Sequence, residues 1–124
     1  MARVTGIGGI FFKCDDPKAL SEWYGRVLGL AVEGWGGVLF RPAEGPPQMV
    51  WAPFSTDSGY FAPSARDCMI NLAVDDLDAM IARLSEHGVP IEGREDNDPN
   101  GRFAWFIDPA NIKVELWEPK NNSG

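Results

Sequence analysis

The sequence predicts an α+β fold built from two tandem βαβββ modules. Three observations carry this. Asp16-Pro17-Lys18-Ala19-Leu20 through Trp23-Tyr24, then Leu28-Gly29-Leu30 and Val32-Glu33, is echoed by Asp76 through Ala79-Met80 and Leu84, then Gly88-Val89 and Ile91-Glu92. The echo is offset by 60 residues at the aspartates and 59 at the glycines. An apolar strand precedes each copy, and further strand-like segments follow it. A repeat of this length marks two equivalent halves, and equivalent halves tend to enclose a site between them. One domain over 1–124 is expected, with the first module near 4–60 and the second near 66–119.

Thr5 to Lys13 reads as the first strand, although Gly6, Gly8 and Gly9 weaken its start. Asp16 suits an N-cap, and Pro17 follows at the first helical position, where a missing N–H costs nothing. Leu20, Trp23, Tyr24, Val27 and Leu28 recur at helical spacing, and Gly29 fits the left-handed position beyond the helix. Strands are expected near 31–34, 37–41 and 48–53, with turns at Gly36-Gly37 and Glu44-Gly45-Pro46-Pro47. Residues 54–67 form a long polar and aromatic loop with the length of a lid.

The second half restarts at Cys68. Ile70, Leu72 and Val74 alternate with Met69, Asn71 and Ala73. Asp76 is the next cap, Leu77, Met80, Ile81 and Leu84 form a buried stripe, and Gly88 ends the helix. Strands fit near 89–92, 102–107 and 112–118. Residues 95–101 read as a turn-rich loop. Asp96, Asp98 and Asn100 alternate like calcium ligands, but no glutamate follows where such a loop needs one. The tail from Lys120 looks frayed.

Composition narrows the function classes. The chain of 124 residues is 44% hydrophobic and 23% charged, ordinary for a globular protein. Its net charge of -7 disfavours nucleic acid and anionic membrane surfaces as partners. No apolar run has the length of a membrane span, and the first residues contain no signal-peptide core. Cys14 and Cys68, with no histidine neighbour in sequence, read as free and inert thiols of a cytoplasmic protein.

The chain resembles the vicinal oxygen chelate superfamily, which includes glyoxalase I, bleomycin-resistance and fosfomycin-resistance proteins and extradiol dioxygenases. The resemblance rests on Asp16–Tyr24 followed by Leu28-Gly29-Leu30, on Val74-Asp75-Asp76-Leu77, and on Phe106-Ile107-Asp108-Pro109 leading to Val114-Glu115-Leu116. It implies mixed sheets curled into an open barrel or cup, with the helices outside. It also implies a homodimer in many members. In metal-dependent members, four side chains from the first and last strands of the modules, usually His, Gln or Glu, hold one divalent cation. That cation chelates vicinal oxygens of the substrate.

Carried onto this sequence, those positions fall on Gly9, Met69, Glu115 and a residue near Trp51. Only Glu115 suits a hard or borderline cation. The one histidine, His87, belongs to the last turn of the second helix and faces solvent. No cofactor is therefore expected, and a divalent metal is disfavoured.

Strand alternation places Ile7, Phe11, Asn71, Ala73, Lys113 and Trp117 on the cup face with Gly9, Met69 and Glu115. Ile10, Phe12, Ile70, Leu72, Val74, Val114 and Leu116 are left to pack beneath the helices. Trp51, Phe54, Tyr60, Phe61 and Trp105 are further aromatic candidates, and glycine at position 9 leaves room for a larger molecule. The expected function is binding of a small organic, aromatic ligand in this cup. Asn71 would orient it, and Gly9, Phe11, Trp51, Met69, Arg102, Lys113 and Trp117 would complete the site. The alternative is a lyase, isomerase or dioxygenase, lactoylglutathione lyase-like, with Glu115 as base or metal ligand and Lys113 or Arg102 as electrophile. A structural reading also stands beside it. Glu115 would then close the barrel through an ion pair with Arg41, Arg102 or Lys113.

Overall fold

The computed structural model describes residues 2–40 and 49–120. It contains seven strands and two helices among these residues: β1 (Val4–Cys14), α1 (Pro17–Leu28), β2 (Val38–Phe40), β3 (Met49–Ser55), β4 (Cys68–Val74), α2 (Leu77–Glu86), β5 (Gly93–Asp98), β6 (Gly101–Ile107) and β7 (Lys113–Pro119). They form one mixed, open sheet in the order β2-β3-β1-β4-β7-β6-β5. Each module pairs its first and last strand in parallel, β1 with β3 and β4 with β7. The modules join where β1 runs antiparallel to β4. No helix among the described residues is long and apolar enough to cross a membrane.

The repeated aspartates cap the helices as their sequence requires. Asp16 accepts from Ala19 N–H and Asp76 from Ala79 N–H, both at 3.0 Å. Such a cap stabilises a helix by about 1 kcal/mol. Gly29 closes α1 at φ 72, a conformation that favours glycine.

The helices differ in what they cover. Leu77 and Met80 of α2 pack with Val74, Ala104, Val114 and Leu116 into a continuous core, and Leu77 is fully buried. On α1 the buried residue is Ser21, whose hydroxyl donates to Gly36 O at 2.6 Å, while Trp23, Val27 and Leu28 are exposed. Tyr24 instead packs against Trp51 at a tilt, and Trp51 also meets Phe12. Helix α1 lies over β3, and α2 over β6 and β7. The seam between β1 and β4 thus lies under neither helix. Ile10 and Ile70, paired across that seam, are 53% and 37% exposed rather than packed beneath a helix.

Among the described residues one expected strand of the first module is absent and one of the second is displaced. Residues 31–34 are not a strand, because the chain there turns back through Glu33 N–H to Gly37 O. Residues 89–92 are not a strand either; the pairing strand is Gly93–Asp98, within the stretch read as loop. Its sequence GREDND has no apolar alternation. Arg94 and Arg102 instead bridge Asp78 and Asp96, holding the polar strand against β6 and α2. Arg41 and the turn at 44–47 lie outside the described residues.

Candidate functional site

The strand register decides which side chains meet. Asn71 lies beside Glu115 across β4 and β7, and Glu115 lies beside Trp105 across β7 and β6. All three therefore point to the concave face. Glu115 is 2% exposed. Its Oε1 accepts from Asn71 Nδ2 at 2.7 Å; its Oε2 accepts from Trp105 Nε1 at 2.7 Å and from the Tyr60 hydroxyl at 2.5 Å. Three converging donors complement a carboxylate, and a buried charge is tolerated only when it is bonded in this way.

Tyr60 comes from the loop after β3, which folds back over the sheet. Burial pushes its hydroxyl above the usual phenol range, the Glu115 charge and hydrogen bond push the same way, and Trp105 opposes them. Asp98 adds its negative charge at the same hydroxyl. Lys113 anchors the loop from below, with Nζ donating to Tyr60 O at 2.6 Å and standing 5.0 Å from the Tyr60 ring and 5.5 Å from that of Trp105. Loss of hydration holds the Lys113 amine below its ordinary value, and Glu115 partly offsets this. Ser64 and Arg66 tie the far end of the loop to Asn111 O and Ala110 O.

A cavity of about 420 Å³ opens beside this network. Phe11, Val50, Ala52 and Phe54 of the first module face Asn71, Phe103, Glu115 and Trp117 of the second. Trp35, Leu39, Tyr60, Asp98 and Asn100 complete the lining. Trp105, Phe103 and Trp117 form a ladder across β6 and β7, with neighbouring centroids 6.3 Å apart and planes within 10°. Both walls belong to one chain.

Four of the sequence-predicted site residues, Phe11, Asn71, Glu115 and Trp117, line this cavity. Met69 lies on the same face, fully buried among Phe11, Ala52 and Phe61, and does not line the cavity. Lys113 sits at the rim of the network rather than in the lining. Three expectations need correction. Trp51 faces α1, because the residue of β3 paired with Phe11 is Ala52, one position on. Arg102 points to the helix side, where it bonds Asp78, Asp96 and Glu118. Gly9 leaves no room for a ligand: a Cβ there would stand 2.8 Å from Val50 O and 3.0 Å from Phe11.

Ile7 is also displaced. Strand β1 advances from Ile7 to Gly9 while β4 advances only from Leu72 to Asn71, so Gly8 is an extra residue. Such a bulge reverses the alternation beyond it, and Ile7 joins Leu72 on the outer face, 49% exposed. Gly8 itself touches Asn71; a Cβ there would come 2.0 Å from Oδ1, so only glycine lets the carboxamide reach Glu115. Trp35, which the sequence reading missed, had no strand or helix periodicity to reveal it. The Tyr60, Phe54 and Trp105 rings are candidates that the structure brings to the site, while Phe61 is core.

The profile of the Glyoxalase/Bleomycin resistance protein/Dioxygenase superfamily matches residues 6–116. The chain belongs to this superfamily. Among curated proteins none matches it by sequence. Solved structures share the fold. A methylmalonyl-CoA epimerase from Mycobacterium tuberculosis aligns at a TM-score of 0.67 with 23% identity, over 95% of this chain and 90% of that one. A variant of the Streptomyces coelicolor methylmalonyl-CoA epimerase, in complex with 2-nitronate-propionyl-CoA, aligns at 0.68 with 19% identity, over 96% and 100%. The 2,3-dioxygenase LapB from Pseudomonas sp. KL28 aligns at 0.67 with 18% identity, over 95% of this chain and 42% of that one.

Membership raises the question of a metal. The approximate twofold that exchanges β1 with β4 carries Gly9 onto Met69 and Ala52 onto Glu115. The four superfamily addresses thus hold glycine, alanine, methionine and one glutamate. That glutamate already accepts three hydrogen bonds. No group of three or more His, Cys, Asp or Glu side chains converges anywhere among the described residues. This donor set does not fit a divalent cation, which needs several oxygen or nitrogen ligands.

Proposed function

We propose that the protein is a metal-independent binding protein that takes a small aromatic molecule into the cup. The observation that supports this most directly is the engagement of Glu115. Both its oxygens are occupied by Asn71, Trp105 and Tyr60, so it acts as a fixed floor rather than a free base. Around it lies an aromatic cavity of about 420 Å³, the size and lining of a small-molecule site. Trp35 at the rim, 56% exposed, would close over a bound ring.

Titration of tryptophan fluorescence with acridine, a planar uncharged probe, tests the reading. Saturable quenching is expected, with affinity reduced about tenfold or more in Trp35→Ala through loss of one stacking face. Unaltered affinity in that variant would remove the cup as the binding place. Elemental analysis of protein purified without chelator should find no stoichiometric metal. A full equivalent of zinc, iron or manganese, lost in Glu115→Ala, would overturn the metal-independent reading.

One observation favours a second reading, a lyase or isomerase. The Tyr60 hydroxyl stands 2.5 Å from Glu115 Oε2, and a ligand that displaced it would open one lone pair of that oxygen, still bonded by Trp105, as a base in an apolar site. Exchange of a substrate C–H proton with solvent, lost in Glu115→Gln, is the signature that this reading requires.

A further inference from the structure

The charges in the cavity wall are all of one sign. Glu115 forms its floor and Asp98 its rim, and no lysine or arginine belongs to the lining among the described residues. The cations on and beside the loop are turned to other work: Lys113 donates to Tyr60 O, Arg66 to Ala110 O, and Lys13 stands over the Phe61 ring. Arg94 and Arg102 are consumed on the opposite face by Asp78 and Asp96. Asp98 lends its carboxylate to Asn100 N–H at 2.8 Å and belongs to the cavity lining. The Asn71 carboxamide, 2% exposed, has an oxygen without a hydrogen-bond partner among the described residues. Six aromatic side chains make up most of the remaining wall, and ring faces carry negative quadrupole density, while Leu39, Val50, Ala52 and Asn100 add no charge. A cavity lined by one sign of charge and low-dielectric walls concentrates ions of the opposite sign, and the whole chain, at net -7, reinforces this.

We propose that the ligand is a planar aromatic cation, its rings stacked between Trp35 and Trp117 and its protonated nitrogen directed to Asp98. The inference rests on the binding reading above and adds the ligand's charge. An anionic thioester of the kind bound by the structural neighbour would meet Glu115 and Asp98, with no cation in the wall among the described residues to receive it.

Three probes with one ring system decide it: 9-aminoacridine as cation, acridine as neutral compound and acridine-9-carboxylate as anion, titrated calorimetrically near neutral pH. The cation should bind at least about tenfold more tightly than acridine, and the carboxylate most weakly. Added salt should narrow the ratio of cation to neutral affinity, as should Asp98→Asn, which keeps the oxygen that receives Asn100 N–H. Acridine binding as tightly as 9-aminoacridine would overturn the charge selectivity while leaving the binding reading intact. Binding of none of the three would overturn both. A ratio unchanged in Asp98→Asn would overturn the assignment to this carboxylate.

Discussion

The two modules place very different chemistry at the same address. Where the second sets Asn71 beside Glu115, the first sets Phe11 beside Ala52. The second wall therefore holds a hydrogen-bonded charge, and the first holds only apolar surface. The helices diverge likewise: α2 seals a core, whereas α1 leaves Trp23, Val27 and Leu28 in solvent. Backbone geometry tolerates this divergence because pairing and capping use main-chain groups and the two aspartates. The side chains between them are free to specialise, one wall for shape and the other for polarity.

The contrast breaks most readily at the second module. Leu77→Ala removes a fully buried side chain from the α2 core and should cost about 2–5 kcal/mol in urea unfolding. Glu115→Gln replaces an acceptor-only group by one bearing an NH₂, which meets the donors Tyr60, Asn71 and Trp105. A loss of about 1–3 kcal/mol is expected, because donors are left unpaired in a buried place.

Tyr60→Phe sharpens the comparison through pH. Above the ordinary phenol value of 10.0 the unfolded chain releases the Tyr60 proton, while the folded chain retains it. The folded state then binds more protons, so stability falls as pH rises. Lys113 acts in the opposite sense. Its folded value lies below 10.5, so the unfolded chain binds more protons and stability rises towards that value. In Tyr60→Phe the decline above pH 10 should lessen, read as the urea midpoint against pH. An identical alkaline slope in both proteins would contradict the burial of that hydroxyl. At the small end, Val27→Ala on the exposed face of α1 should change stability by no more than about 0.5 kcal/mol. A loss comparable to Leu77→Ala would mean that α1 is covered by a partner.

The repeat made the two modules and both helices legible, because caps and periodicity are local signals, but not the loss of one strand from the first module. Glu115 on the concave face was legible from the superfamily resemblance, and strand parity added Phe11, Asn71 and Trp117. Parity also misled. One inserted residue at Gly8 turned Ile7 outward, and a one-residue offset in β3 replaced Trp51 by Ala52. Strand β5 was missed because ion pairs, not apolar alternation, hold it. Tyr60 as the bond partner of Glu115 depends on a loop that returns across 55 residues of sequence. No local pattern encodes that closure.

The antiparallel join of β1 and β4 has a genetic consequence. When two identical subunits build a cup, every substitution appears on both walls. Here each wall has its own codons, and a change at position 52 leaves position 115 untouched. Covalent continuity is what allows Phe11 and Ala52 to be apolar while Asn71 and Glu115 are polar. The cup therefore has a defined front and back, with two chemically different walls.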